Sequence, residues 1–401
     1  MIKSENIICV SYSTWEGPYT KSVVQLMSLL AENNRVLYVE YPFTIKDVVY
    51  AMAGKSRAPL ARILGLRRRA VLKETPGGAW VLHWVLPPLI PVNSIRNDRL
   101  YRIILKADTW IYRRSLTRAI RSLNLADPVM VYAYNPIFGE QLTGRLGQKA
   151  DIYYCYDGFP QDRRGIRAWH ADRRFPALAD GVIVSSDFLR DQKLVVTPNV
   201  CSVKNGVDFE LFNRSARTAP SPGESRKKIG YIGSIDQRFD LETVRHAVVN
   251  LPGYDFEFTG DVRNETVRTE LLQYSNVAFL PPVRPEEVPE RLRGYDAGII
   301  PYLCNEINRN VYPLKINEFL AVGVPVVLTR FADLPEFSGN ASFASSKEEF
   351  LSHLVEAVTG DSREKTAGRI EFARSNSWKA RAEEFAAAIR TFTARKTARV
   401  A

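Results

Sequence analysis

Lys315 and Glu318 stand one helical turn apart in residues 310–328, NVYPLKINEFLAVGVPVVL. The spacing predicts a short helix over 315–322. Pro313 suits its first turn, Leu314, Phe319 and Leu320 form its apolar side, and Gly323 ends it. A buried strand over 324–328 follows. Helix N-termini collect anions, because their free N–H groups and dipole face the ligand. A lysine in the first turn is unfavourable for the helix alone and makes sense if a phosphate sits there. With Glu318 on the same face, the pair suits a sugar diphosphate, the cation holding phosphates and the carboxylate holding ribose hydroxyls. The same spacing also makes an ordinary i,i+3 surface ion pair, and both readings stay open.

In open parallel sheets ligands sit beyond the carboxyl ends of the strands, so polar groups just after predicted strands are the other candidates. In the second half of the chain these are Gly233 and Ser234 with Asp236 and Arg238, Gly260-Asp261, Pro282-Val283 and Tyr302. Gly233 lets backbone approach a phosphate closely. Arg238 offers a planar fork to a diphosphate, or is a solvated cation where a helix begins. In the first half, Asp157 follows the apolar run 151–155, between Tyr156 and Gly158. A carboxylate there can take a proton from a hydroxyl, or simply cap a helix. Asp162, His170 and Glu16 are rivals. Glu16 and Gly17 sit in the turn after the first strand.

The elements needed to carry these groups alternate twice. Strand 6–11, helix 21–32 and strand 35–40 open the chain as a Rossmann-like unit without a G-x-G-x-x-G fingerprint, which argues against a dinucleotide cofactor. Residues 45–92 break the alternation, 99–123 read as one long basic helix, and strands follow at 129–134, 151–155 and 181–185, with short strands at 195–196 and 201–203. Residues 214–228, with Pro220, Pro222 and Gly223, read as a linker. A second alternation starts at 229–234 and runs through strands 256–259, 277–280 and 297–301 to the helix of Lys315, with helices at 351–358 and 377–392 after it.

The 310–328 stretch resembles the nucleotide-diphosphate signature of GT-B-fold, family-4-like glycosyltransferases: a Pro-rich loop, a helix with a ribose-binding Glu, then small-Gly-x-Pro-Val-Val. Residues 204–208, Lys-Asn-Gly-Val-Asp, resemble the turn that ends the first domain in that family. The resemblance implies an α/β GT-B fold of two Rossmann-like doubly wound domains with a cleft between them. It places an acceptor-side domain at 1–210, a nucleotide-sugar domain at 211–375 and a returning helix at 376–401. It further implies a hexosyl transfer, with retention, from a UDP- or GDP-linked sugar to an envelope glycan or lipid-linked acceptor, of the teichuronic-acid type. Lys315, Arg238 and Asp157 would then be catalytic. Gly233, Ser234, Pro282, Val283, Pro313, Leu314 and Glu318 would bind the donor, and Gly17 and Glu16 would face the acceptor. Asn310 stands where such enzymes often carry a further Glu, and Thr243 where a second phosphate-binding cation is usual.

Composition bounds the alternatives. A chain of 401 residues exceeds one typical core. Its four cysteines are scattered, a reduced, cytosolic pattern, and no leader or membrane-spanning run is evident. Neither a D-x-D loop nor a His/Asp cluster stands out, so the expectation is no metal and no cofactor beyond the donor. The formal net charge is +11, but residues 55–73 hold seven cations and no acid, and 96–121 hold eight cations and two acids. These stretches are interleaved with Leu, Ile, Val and Trp, which fits an anionic membrane surface better than nucleic acid. Residues 55–73 predict an amphipathic frame, and Trp80 and Trp84 in the apolar run 80–92 are candidate headgroup-zone anchors. The expected location is cytoplasmic, peripheral at the inner face of the cell membrane. A nucleotide-sugar epimerase on the same fold, a basic nucleic-acid binder and an inactive scaffold are the other readings.

Overall fold

The computed structural model describes residues 2–17, 21–92, 95–162, 165–220 and 226–400. Pro222 and Gly223 of the predicted linker, and Pro18 of the first turn, lie outside the described residues. The chain divides into two compact units, residues 1–204 with 382–401, and residues 205–381.

The first unit runs β1 (Asn6–Ser11), α1 (Ser22–Leu30), β2 (Arg35–Val39), α2 (Ile45–Met52), α3 (Leu60–Ile63), β3 (Ala70–Glu74), β4 (Trp80–Trp84), α4 (Asp98–Ser122), β5 (Val129–Ala133), α5 (Pro136–Leu142), β6 (Ala150–Cys155), α6 (Ile166–Arg174), β7 (Gly181–Val184), α7 (Asp187–Leu194) and β8 (Val200–Ser202). Its sheet has the order β3-β4-β2-β1-β5-β6-β7-β8. The central strands are apolar on both faces, as a parallel sheet covered by helices demands, and β5, β6 and β7 are buried along their whole length.

Three expectations for this unit are corrected. Residues 55–73 form no amphipathic helix. They are divided among α3, a loop and β3, an antiparallel edge strand with mostly exposed side chains. Within them Arg62 and Arg69 turn inward, donating to the carbonyls of His83 and Val85 respectively, each at 3.3 Å. Trp84 is no surface anchor: it is 5% exposed, and its Nε1 donates to Ser115 Oγ at 2.9 Å. The segment fails as a helix because Pro59 and Gly65 bracket its only helical turn. Residues 195–196 form no strand, since Val195 is the C-cap of α7.

The second unit runs α8 (Phe209–Asn213), β9 (Lys227–Ile232), α9 (Leu241–Asn250), β10 (Tyr254–Thr259), α10 (Glu265–Leu271), β11 (Val277–Leu280), α11 (Val288–Arg293), β12 (Ala297–Ile300), α12 (Glu306–Arg309), α13 (Leu314–Val322), β13 (Val326–Thr329), β14 (Ser342–Ala344), α14 (Lys347–Thr359) and α15 (Arg363–Ser375). The last helix, α16 (Trp378–Val400), begins in this unit and continues into the first from Ala382. All pairings in the second sheet are parallel, in the order β11-β10-β9-β12-β13-β14. Numbered within the unit this is 3-2-1-4-5-6, whose order reverses between β9 and β12, the place where such sheets bind ligands. Within the predicted linker Arg217 packs into this unit: it is 7% exposed and donates through Nε and Nη2 to the Arg293 carbonyl.

Candidate functional site

The carboxyl ends of β9 and β12 frame the site. Past β9, Gly233 adopts φ +128°, a conformation L side chains rarely take, and a Cβ there would overlap the Lys315 ammonium. Gly260, past β10, sits against the Gly233 backbone with φ +145°. The two glycines clear the sheet edge for the lysine. Tyr231, near the end of β9, and Tyr302, just past β12, lie on either side of the reversal.

Helix α13 reaches this edge with its N-terminus. Leu314 is its first residue, and Pro313 occupies the N-cap with no side-chain cap, so Pro313 stands one position earlier than predicted. The helix is buried on most of its surface, from Ile316 to Val322, apart from Glu318, which is partly covered. Gly323 closes it in the left-handed conformation at φ 84°.

Lys315 makes no ion pair with Glu318. Its Nζ donates to Tyr231 Oη at 3.0 Å and to Tyr302 Oη at 3.1 Å. It also lies 4.3 Å from the centre of the Tyr231 ring. Among the described residues no carboxylate comes within 4.0 Å of this ammonium. Burial works against the charge, but the two phenols outweigh it and hold the lysine pKa above its ordinary value. Burial pushes the Tyr231 phenol up as well, so it stays protonated, accepting from Lys315 and donating to the Ser234 carbonyl at 2.6 Å.

Glu318 has no hydrogen-bond or ion-pair partner among the described residues. Burial pushes its carboxyl up to about 7, against the pull of Lys315. Arg238 is not a helix-start cation. It lies in the β9–α9 loop, forked onto Asp236 at 3.1 and 2.8 Å, and its guanidinium sits 5.4 Å from the centre of the Tyr302 ring. Lys315 lies 5.5 Å from the same ring, so one tyrosine gathers both cations. The Ser234 Oγ is buried with no partner among the described residues.

The remaining donor-side candidates spread along the same edge. Pro282 is exposed and Val283 partly buried, in the loop after the outer strand β11, two strands from the reversal. Asp240 caps α9, and Thr243 in the first turn donates to it twice: N–H to Oδ1 at 3.1 Å and Oγ1 to Oδ2 at 2.7 Å. Asn310 caps α12, its Nδ2 donating to the Glu306 and Ile307 carbonyls at 2.8 and 3.3 Å. A carboxylate at 310 could not make those bonds.

In the first unit, Asp157 is exposed in the loop after β6 and accepts from the Gly158 amide at 2.8 Å. It caps no helix, since α6 begins at Ile166 with Gly165 as its cap. Asp162 holds that Gly165 amide at 2.9 Å. Glu16 pairs with Lys73 at 2.6 Å and is exposed. Gly17, at φ +156°, closes a loop whose carbonyls at Thr14 and Glu16 both accept from Lys21 Nζ.

Sequence reasoning missed Tyr231 as the second anchor of Lys315, and it missed a buried pair, His83 and Glu40, 2.8 Å apart, whose imidazole is held below its ordinary pKa by burial. A tyrosine at the end of a predicted strand, facing a first-turn lysine, was the available signal for the former. Among the described residues no three His, Cys, Asp or Glu side chains gather into a metal-holding set.

Comparison with known proteins bears on this edge. Residues 226–359 match the family described as Glycosyl transferases group 1. TuaH of Bacillus subtilis (strain 168), provisionally a teichuronic acid biosynthesis glycosyltransferase, is 37% identical over 169 residues. That alignment covers 40% of this chain and 42% of TuaH. The trehalose-phosphate synthase (UDP-forming) of Burkholderia xenovorans superposes with a TM-score of 0.68 at 11% identity, covering 96% of this chain and 100% of that one. The sucrose-phosphate synthase of Thermosynechococcus elongatus does so with 0.68 at 14%, covering 98% and 100%. The chain thus has the GT-B fold, and its residues 226–359 are similar to the glycosyltransferase group 1 family.

Proposed function

We propose that the protein transfers a sugar from a nucleoside diphosphate to a glycan or lipid-linked acceptor. One observation carries this reading: Lys315, a mostly buried cation without a counter-ion among the described residues, at the uncapped N-terminus of α13 and at the strand-order reversal. The phenols keep this ammonium charged but bring no opposite charge of their own, so an arriving anion gains a charge-assisted hydrogen bond there. An ammonium has three donors, and the phenols occupy two. The diphosphate takes the third together with the free amides of the α13 first turn, where Pro313 and Leu314 bring the chain in. Gly233 admits the phosphates, Ser234 Oγ gains a partner, and Glu318 accepts from the ribose hydroxyls. Pro282 and Val283 border the base.

Transfer leaves negative charge on the departing diphosphate. Lys315 and Arg238, gathered on the Tyr302 ring, neutralise it. Asp157 takes the proton of the attacking hydroxyl, and Gly17 and Glu16 border the acceptor. The donor is UDP- or GDP-linked and the configuration is retained, by the resemblance of the signature. The relative's teichuronic acid role supports an envelope glycan as product.

A separate observation supports location at a membrane surface. Of the 22 large hydrophobic side chains exposed among the described residues, 12 lie within residues 45–110, including Met52, Leu66, Ile103 and Trp110. Arg113, Arg114, Arg118 and Arg121 line a cavity beside Trp110. Apolar area and cations together favour an anionic bilayer. No helix among the described residues is long and apolar enough to cross a membrane.

Isothermal titration with UDP- and GDP-sugars tests the donor site. Lys315→Met should weaken binding by about 1.5–3 kcal/mol, the scale of a charged hydrogen bond. Asp157→Asn should lower turnover of the transfer reaction and leave donor affinity unchanged. Normal nucleotide affinity in Lys315→Met would place the donor elsewhere.

A further inference from the structure

A groove in the first unit is left unexplained by the roles above. A cavity of about 650 Å³ opens at the carboxyl ends of β1 and β5, where the strand order of this unit reverses. Tyr12, Tyr101, Tyr134 and Phe159 line it. A second cavity of about 410 Å³ shares Tyr101, Arg167 and His170 with the first and continues beside α4, α5 and α6 to Glu140 and Arg174. The shared residues make them neighbours along one face.

The inner end of the groove is specially made. Tyr134 has φ 52°, a conformation costly for an aromatic residue and held only where the surroundings enforce it. Phe159 stacks on it at 4.0 Å and 8°, Tyr156 at 5.1 Å and 27°, and its hydroxyl donates to the Gly158 carbonyl at 2.8 Å. The next residue, Asn135, lines the cavity, is 2% exposed, and has an Nδ2 with no partner among the described residues. Buried polar groups are normally satisfied, so this amide awaits a ligand atom.

The charges sort into two kinds. Arg167 donates to the Val92 and Ile95 carbonyls and lies 3.7 Å over the Tyr101 ring, and Arg174 is forked onto Glu140 at 2.8 and 2.9 Å. These build the walls. Arg96 on the first cavity and Arg102 on the second are exposed and make no hydrogen bond or ion pair among the described residues.

We propose that this groove binds an oligosaccharide bearing carboxylates, its ring faces on the aromatic walls, a hydroxyl on Asn135, and carboxylates on Arg96 and Arg102. Aromatic walls with a few placed polar groups suit a ligand that is flat and apolar on its faces and polar at its edges. Free guanidinium forks suit carboxylate. Calling this saccharide the acceptor rests on the glycosyltransferase reading; its binding does not.

The test is titration of the full chain with tetragalacturonate, with its full methyl ester, which has the same skeleton without charge, and with inorganic phosphate. The acid should bind about tenfold more tightly than the ester at low salt. Arg96→Ala with Arg102→Ala should erase that preference and leave nucleotide binding unchanged, and Tyr12→Ala should weaken acid and ester alike. Equal affinity for acid and ester, displacement of the acid by phosphate at comparable concentration, or an unaffected double variant would each overturn the proposal. Loss of nucleotide binding in the wild type with tetragalacturonate binding intact would sink the donor reading alone.

Discussion

At Glu318 a carboxyl raised to about 7 by burial sits beside a lysine that gives its hydrogen bonds to phenols instead. A folded-state pKa above the unfolded value of about 4.3 means that the neutral acid is the favoured folded form. Its contribution to stability is fully present below pH ~4.3 and is lost as pH rises through about 7. In the proposed donor site ribose hydroxyls would donate to the ionised form, so nucleotide binding should expel a proton. Calorimetry at pH 6 in buffers of different ionisation enthalpy should show release approaching one proton in the wild type. It should show clearly less in Glu318→Gln, and affinity for the wild type should rise with pH up to about 7 and then level. Pairing of Lys315 to phenols was not readable from spacing. Residues at i and i+3 meet only if the surface offers nothing better, and here Tyr231 and Tyr302, distant in sequence, offer buried acceptors.

At the scale of elements, α13 is fixed at both ends. Its far end is held by Arg369 of α15, whose Nε and Nη2 donate to the Gly323 carbonyl at 3.1 and 2.8 Å while Nη2 also meets both oxygens of Asp361. A cation on the last carbonyls complements the helix dipole. Arg369 is 5% exposed, so Arg369→Met strands Asp361 and should cost about 3–5 kcal/mol in denaturant unfolding. A loss below about 1 kcal/mol would show that the grip is dispensable. The same helix explains what sequence patterning shows and hides. Strands β1, β5, β6, β9 and β12 announce themselves because a parallel sheet needs apolar residues on both faces, and α13 does so through Pro313 and Gly323. Helix α15 was not anticipated, since it packs through Thr366, Arg369 and Ala373 rather than a stripe of large apolar residues. The edge strand β3 was hidden for the opposite reason: its side chains are mostly exposed and carry the charge of a surface segment. The place of Gly233, Gly260 and Arg238 at the sheet edge was legible from their position after strands, whereas the groove at Tyr134 and Asn135 depends on a backbone twist that no pattern records.

For the molecule as a whole, the excess charge is concentrated in the stretches 55–73 and 96–121 of the first unit. Vesicles containing anionic lipid should carry the protein upward in a flotation gradient at low salt and release it at high salt, because each cation near the surface contributes about 1 kcal/mol and is screened. Arg67, Arg68, Arg113 and Arg114 changed together to Glu should stay at the bottom of the gradient; Arg69 is left alone because it helps hold the Val85 backbone. Equal flotation of the two proteins would remove the membrane from the account.

The first unit is made of two separated pieces of chain, and the later piece fills places the earlier one leaves open. Phe392 lies where a Cβ on Gly181 would be, Phe385 meets the Tyr154 ring edge-on, and Lys396 pairs with Asp180 at 2.8 Å. During synthesis, residues 1–204 therefore leave the ribosome with part of their sheet uncovered, and the missing helix is made only after all of residues 205–381. At ordinary elongation rates that interval is on the order of ten to thirty seconds. The second unit, contiguous in sequence, has every residue it needs before the first is complete, so the nascent chain meets the cell with its second unit finished and its first still waiting for a cover.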